Sequence, residues 1–102
     1  MLLKRIEKEA SIIESYYDSS NVLKSIYHKN TRDLDVVFKS GSVYRYREVS
    51  MDTLIQMEKE KSQGNFLNTV IKTKHPATKV VNVNTLQLIE HIQTIKDEQK
   101  KG

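Results

Sequence analysis

The first hydrophobic positions of the chain have the spacing of an amphipathic helix. Five apolar residues recur three or four positions apart: Leu2, Ile6, Ala10, Ile13 and Tyr17. This spacing predicts a helix over residues 2–17. The polar residues 18–21 favour a turn and end the predicted helix.

The next part of the chain predicts three strands, because short apolar and polar runs are separated by turn-favouring residues. The first strand covers residues 22–28. The other two are "LDVVF" at residues 34–38 and "SVYRYREV" at residues 42–49, and they flank Gly41. Together they predict an antiparallel meander.

The register of the last two strands decides where their side chains point, because a slip of one residue moves every side chain to the other face. A two-residue turn at Ser40-Gly41 would place two arginines on the apolar face. A three-residue loop over residues 39–41, with Gly41 at positive φ, separates apolar from charged side chains. We therefore predict that Tyr44 and Tyr46 face the core, with their hydroxyls at its rim. The same register gives two cross-strand ion pairs, Arg45 with Asp35 and Arg47 with Asp33.

Two helices are predicted directly after the strands. Ser50 is a typical N-cap for a helix that runs to about Ser62, and Gly64 is placed to end it in the left-handed conformation. Asn65 caps a second, short helix with an apolar face, and Pro76 ends that helix.

A further amphipathic helix is predicted at the C-terminus. It follows the extended segment "KVVNV" at residues 79–83, and Asn84 with Gln87 resembles a capping box;. Its apolar seam consists of Leu86, Ile89, Ile92 and Ile95. We favour packing of this seam on the domain, and the same four residues are the candidate interface for a host protein or for a second copy of the chain.

These elements predict one compact α+β domain. We expect a three-stranded antiparallel β-meander with two following helices packed on one face, plus an amphipathic helix at each end. The boundaries divide the chain into an N-terminal extension (1–17), a central domain (18–80) and a C-terminal extension (81–102).

Composition and charge narrow the class of protein. The chain has 102 residues and no cysteine, which excludes a disulfide framework, and no apolar run long enough for a membrane span;. A cytoplasmic protein, monomeric or homodimeric, is expected. The net charge is +4, and the whole excess lies in residues 18–80, which carry eleven basic and seven acidic side chains. A basic centre of this kind suits a polyanionic partner.

The side chains that could support catalysis are few and scattered. His28, His75 and His91 lack the spacing of a metal site;. We therefore expect no metal, no cofactor and no enzymatic activity. Asn68 lies among apolar residues, and a structural hydrogen bond to a nearby loop or tyrosine is favoured over contact with a ligand.

Several motifs in one order resemble the KTSC domain, a family named for its occurrence at the C-terminus of some lysyl-tRNA synthetases and also found as small bacterial and phage proteins. Tyr44 and Tyr46 match its Tyr-x-Tyr hallmark. A second pattern is matched by Ser62, Gly64, Phe66, Asn68, Ile71 and Lys72. The resemblance covers about residues 18–80. His28-Lys29 and Ser50 depart from the family pattern at surface turns.

The resemblance implies RNA binding by association with a tRNA-charging enzyme, and it implies no catalytic activity. The leading hypothesis is a small nucleic-acid-binding module, for RNA or tRNA rather than DNA. The residues expected to contact phosphates are Lys72, Lys74, Lys79, Lys39 and Arg45. The alternative is a protein-interaction module, such as a phage-type accessory protein that binds a host enzyme through its terminal helices.

Overall fold

The structure, a computed structural model, describes residues 1–101. Its strands are β1 (Leu2–Lys8), β2 (Ile12–Tyr17), β3 (Val22–His28), β4 (Asp33–Phe38), β5 (Ser42–Tyr46) and β6 (Ala77–Asn82). Its helices are α1 (Met51–Lys59), α2 (Gln63–Phe66), α3 (Lys72–Lys74) and α4 (Leu86–Lys101), and a π-helical turn at Leu67–Ile71 joins α2 to α3. We call the continuous residues 63–74 the central helix. No helix in the described part of the chain is long and apolar enough to cross a membrane.

The fold is α+β with an antiparallel sheet, but the sheet has six strands rather than the three predicted. Each strand pairs with the next in sequence, in the order β1-β2-β3-β4-β5-β6. Helix α1 and the central helix pack on one face, where residues such as Tyr27, Leu54 and Ile71 are buried together. Helix α4 packs on the opposite face, over Tyr16 and Leu23. The sheet therefore separates two apolar cores.

The N-terminal residues form a hairpin, β1 and β2, so the predicted N-terminal helix is wrong. Glu9 and Ala10 take positive φ angles of 51° and 59° at its turn. Within β2 the side chains alternate, with Ile13 and Tyr17 buried in one core and Tyr16 in the other. The turn lies near the middle of residues 2–17. The apolar residues of the two strands, read as one continuous segment, therefore happen to have the spacing of a helix. Burial on both faces of the sheet then outweighs local propensity.

The β4–β5 hairpin has the predicted register. Val36 lies opposite Tyr44 and Asp35 opposite Arg45. Gly41 has a φ of 98°, and its amide donates to the Phe38 carbonyl at 2.9 Å, which closes the three-residue loop. The side chains thus alternate between the two faces as the sequence predicts.

Only one of the two predicted cross-strand ion pairs forms. The Arg45 guanidinium binds the Asp35 carboxylate through Nε at 2.8 Å and a terminal nitrogen at 3.0 Å. Strand β5 ends at Tyr46, so Arg47 has no position opposite Asp33. Instead, Asp33 lies 3.8 Å from Arg45.

The helix caps follow the prediction at α1 and differ at α2. The Ser50 hydroxyl accepts a hydrogen bond from the Thr53 amide at 3.2 Å and caps α1 as predicted;. Gly64 lies inside α2 instead of ending α1, and Ser62 rather than Asn65 is its N-cap. Helix α1 ends early because the Gln63 amide donates to two carbonyls at its C-terminus, at 3.1 and 2.7 Å;.

The C-terminal region extends the sheet and covers its second face. The predicted extended segment forms β6, which pairs with β5 and is the outer strand at that edge. Its six residues are all exposed. Helix α4 then crosses towards β1 and β3, where Ile92 and Ile95 are buried against the sheet.

Candidate functional site

A cleft opens between the end of the sheet and the central helix. It encloses about 240 Å³. We call it the aromatic cleft, and its lining residues are Phe38, Tyr44, Tyr46, Asn68, Lys72 and Ala77. Four of them, Tyr44, Tyr46, Asn68 and Lys72, belong to the two sequence motifs identified above.

The hairpin register positions the aromatic wall of the cleft. Residues two apart on a strand share a face, so Tyr44 and Tyr46 both point towards the central helix. The Phe38 and Tyr44 rings meet edge to face, with their centroids 5.8 Å apart. Tyr46 is only 5% exposed, while Phe38 and Tyr44 are half-buried. The rings therefore serve both as core and as the wall of an open site.

The hydroxyls of the two cleft tyrosines differ from those of the other three tyrosines. Tyr16, Tyr17 and Tyr27 bond to Glu14, to Ser25 and to the Val49 carbonyl, respectively. Within residues 1–101, Tyr44 and Tyr46 make no such bond, and no fully buried polar side-chain atom lacks a partner. The Tyr44 and Tyr46 hydroxyls are therefore reached by solvent and free to bond a ligand.

The environment of Tyr46 favours its neutral, hydrogen-donating form. Burial raises the pKa of the Tyr46 phenol, and the neighbouring Tyr44 raises that pKa further. A phenol held neutral at physiological pH retains its proton for a hydrogen bond to an acceptor such as a phosphate oxygen. This end of the cleft therefore suits a ligand rich in acceptors.

The π-helical turn brings a polar side chain and a cation to the opposite wall. Asn68 lies within this turn, and Lys72 lies directly after it. Turns of this type are rare and occur frequently at functional sites, because the extra residue changes where side chains point. Asn68 is exposed and its side chain bonds to no other described residue, contrary to the structural hydrogen bond that the sequence favoured.

The structure separates the five residues that were predicted to contact phosphates. Lys72 lines the cleft. Lys79 on β6 pairs with Tyr44 and so lies on the same face of the sheet;. Lys74 is exposed two residues after Lys72. Lys39 instead borders a groove beside α4.

Arg45 lies on the opposite face of the sheet from the cleft, in a small ionic cluster. Its guanidinium binds Asp35, which also accepts a bond from the His28 ring at 3.1 Å. Burial alone would raise the pKa of the Asp35 carboxyl, but the bonds from Arg45 and His28 outweigh it and hold that pKa below its ordinary value. The charge of Arg45 is thus largely neutralised within the fold.

The cleft is bordered by a stretch of chain that lacks acidic residues. Residues 61–89 include four lysines and no aspartate or glutamate. They form the central helix and β6, which border the cleft, and the start of α4. By contrast, ion pairs within the described residues involve acids outside this stretch, such as Glu14, Asp35 and Glu58. This stretch therefore brings positive charge and no negative charge to the border of the cleft.

The predicted interface on α4 is mostly occupied by the chain itself. Ile92 and Ile95 are buried against Tyr16 and Leu23, and Ile89 packs beside them. Leu86 alone remains largely exposed, at 66%. Three further exposed apolar residues lie close to it in sequence, Val80, Val81 and Val83.

Sequence analysis missed two features of the cleft. Phe38 and Ala77 line the cleft because the strands pair and the central helix packs beside them. Neither arrangement can be predicted from the residues next to Phe38 or Ala77 in sequence. The sequence predicts the Tyr44 and Tyr46 hydroxyls at the rim of the core and offers a tyrosine as one partner for Asn68, but it does not predict that Lys72 lines the same cleft as these residues. Their shared membership of two motifs was the only available signal.

Comparison with known proteins agrees with the motifs. A family model described as the KTSC domain matches residues 18–75. The crystal structure of a KTSC domain protein from Yersinia pestis is similar to this chain, with a TM-score of 0.64 and 25% sequence identity over 70% of this chain and 100% of that one. No curated protein matches the chain.

Proposed function

The chain belongs to the KTSC domain family, and from the cleft formed by its motif residues we infer that it is a non-enzymatic module that binds nucleic acid, single-stranded RNA in preference to DNA. The observation that carries this proposal is the convergence of Tyr44, Tyr46, Asn68 and Lys72 in one open cleft. The two hydroxyls, the amide and the ammonium group bond to no other described side chain, so all four are available to one ligand in this cleft.

The charge around the cleft supports a phosphate backbone as ligand. Lys72, Lys74 and Lys79 are exposed, and none of them forms an ion pair within the described residues. Ammonium groups of this kind act as point charges that position a backbone without reading its sequence. Arg45 is left out of the proposed contact surface because Asp35 already binds it.

The aromatic wall of the cleft favours a single-stranded nucleic acid over a duplex as the ligand. Sequence-tolerant binding of single strands combines a basic groove with aromatic side chains on which bases stack. RNA is favoured because tyrosine hydroxyls and an amide can bond the 2′-hydroxyl that DNA lacks. The protein is proposed to act in the cytoplasm.

The composition of the cleft supports a binding role rather than catalysis. Its described lining has no carboxylate and no histidine. Hydrolysis by general acid and base requires a pair of such groups within hydrogen-bond reach of the substrate. Lys72 and the two phenols supply hydrogen-bond donors for binding.

Fluorescence-polarisation titration at several salt concentrations tests the proposal. We expect single-stranded RNA to bind more tightly than DNA or duplex RNA of equal length. The logarithm of affinity should fall against the logarithm of salt with a slope of about −0.7 per contacted phosphate, or about −2 for three lysines. The variant Lys72→Ala/Lys74→Ala/Lys79→Ala should lose most of this slope.

A matched variant removes the same charge elsewhere. Lys4, Lys59 and Lys100 are exposed and do not line the cleft, so Lys4→Ala/Lys59→Ala/Lys100→Ala should retain the affinity and the salt slope. Absence of RNA binding at low salt, or equal loss in both triple variants, would contradict the proposed function.

The edge strand β6 favours a second candidate function, protein binding. Val80 and Val81 are each 49% exposed on a strand with one unpaired edge, whereas the opposite edge strand carries charges at Lys4, Arg5 and Lys8. Exposed apolar edges invite pairing with another strand. Pull-downs from a nuclease-treated lysate compare the wild-type protein with the Val81→Lys variant. Loss of one defined protein partner with the variant would support this function, and recovery of identical partners with both proteins would contradict it.

A further inference from the structure

We propose that the aromatic cleft holds one unstacked nucleotide of the bound strand, with its base against the Phe38 and Tyr44 rings, its edge facing Asn68, and its phosphate at Lys72. This inference rests on the proposed function and names what its central site recognises. It assigns separate roles to the two walls of the cleft.

The two walls are chemically different, which favours a ligand with two different ends. One wall is aromatic and contains the half-buried rings of Phe38 and Tyr44. The other carries the Asn68 amide and the Lys72 ammonium, spaced four residues apart on the central helix. Nucleotides combine a flat base with an anionic phosphate, and thus match both walls.

Simpler ligands leave part of the cleft unused. Inorganic phosphate would bind Lys72 and a tyrosine hydroxyl but leave the Phe38 ring exposed. A neutral aromatic molecule would cover the rings but leave the ammonium without an anionic partner. Sites for small ligands are mostly apolar with a few placed polar groups, as in this cleft.

The size of the cleft limits the ligand to one unit. Its volume of about 240 Å³ is below the roughly 300–1,000 Å³ of pockets for drug-sized molecules. One base therefore enters while neighbouring nucleotides remain outside, where Lys74 and Lys79 can contact their phosphates.

An abasic strand separates base recognition from backbone attraction. We would compare a single-stranded RNA oligomer with an oligomer of the same length and charge that lacks bases. If the cleft takes a base, the abasic strand should bind the wild-type protein about fivefold to a hundredfold more weakly. Tyr44→Leu, which retains an apolar side chain but no ring, should reduce this ratio towards one.

The hydroxyl of Tyr44 is tested apart from its ring. Tyr44→Phe should weaken RNA binding about twofold to tenfold, the usual effect of losing one hydrogen bond to a neutral group such as the 2′-hydroxyl. Tyr16→Phe removes a hydroxyl from the opposite face of the sheet, where it bonds Glu14, and should leave RNA affinity unchanged. Thermal unfolding of each variant checks that the fold is retained.

Side-chain amide resonances show whether the cleft itself is occupied. The Asn68 side-chain ¹H–¹⁵N signals should shift on addition of a nucleoside monophosphate, and inorganic phosphate at equal concentration should shift them less. Equal binding of abasic and normal RNA, with loss of both in the lysine variant, would overturn this inference and leave the proposed function standing. Absence of binding to any strand would overturn both.

Discussion

Gly41 meets two constraints at once, one from its own hairpin and one from β6. Its φ of 98° is strained for any residue with a side chain, and a Cβ at this position would lie 2.5 Å from the Val83 carbonyl oxygen. That close approach exists because the Val83 amide donates to the Gly41 carbonyl at 2.8 Å. The turn residue therefore also ties the end of β6 to the hairpin.

Substitution of two glycines should separate these constraints. Gly41→Ala should lower the free energy of unfolding by more than about 2 kcal/mol, because backbone strain and the clash with Val83 add. Gly64→Ala should raise it by about 0.5–1 kcal/mol, since Gly64 is helical and its added Cβ would meet only the Asn21 Cβ at 3.9 Å;. Urea denaturation measures both, and destabilisation of similar size in the two variants would contradict this account.

Among the elements, α4 shows how an amphipathic seam is divided between burial and exposure. The sheet covers Ile92 and Ile95, at 5% and 4% exposure, but the helix begins beyond the second core, so Leu86 is 66% exposed. Leu86 and the two isoleucines belong to the same apolar seam. Only the isoleucines contribute to the core, because only they lie over the sheet.

Truncation of two residues on α4 should reflect this division. Ile92→Ala should destabilise the protein by about 2–4 kcal/mol, through lost burial and the cavity left behind. Leu86→Ala should change stability by less than about 0.5 kcal/mol. Thermal or urea unfolding measures the difference, and similar values for the two variants would mean that α4 does not pack on the sheet in solution.

The elements also show which local patterns predict structure. The β4–β5 hairpin was predictable because one register alone separated Tyr44 and Tyr46 from the arginines. The N-terminal hairpin was not, because its residues fit a helical period and only their pairing with β3 distinguishes the two conformations. The end of α1 was also missed, since it depends on the Gln63 side chain bonding carbonyls of the preceding helix.

At the scale of the whole molecule, the regions outside the family match complete the sheet. The matched residues 18–75 contain β3 to β5, α1 and the central helix. The N-terminal hairpin and β6 add strands at both edges, and α4 covers the face opposite the cleft. The additions thus enlarge the core while the cleft stays open.

The charge pairs of the whole molecule should make its stability depend on acid pH. Interactions with the basic side chains of Arg45 and His28, and of Lys8 and Lys24, outweigh burial and lower the pKa of Asp35 and Glu14. A carboxyl whose folded-state pKa is lowered stabilises the fold above its unfolded pKa of about 4, and this contribution disappears as the pH falls through the folded-state pKa.

We therefore expect the free energy of unfolding to fall below about pH 4. Asp35→Asn should destabilise the protein by about 1 kcal/mol at pH 7, and the difference from wild type should shrink at acid pH. Urea unfolding between pH 2 and 7 measures this, with Glu90→Gln at an exposed position as the control. A constant difference across the range would contradict the assigned role of the Asp35 carboxylate.

Local sequence patterns were sufficient to predict the β4–β5 register, the cap at Ser50, the extended β6 segment and the basic centre of the chain. Each depends on residues close together in sequence, whose alternation or capping geometry leaves one favourable arrangement. Only long-range contacts make residues 2–17 into strands, place Asp33 beside Arg45 instead of Arg47, and bring Asn68 and Lys72 into one cleft with Tyr44 and Tyr46. These outcomes depend on contacts between residues far apart in sequence, where burial and charge pairing outweigh local preference.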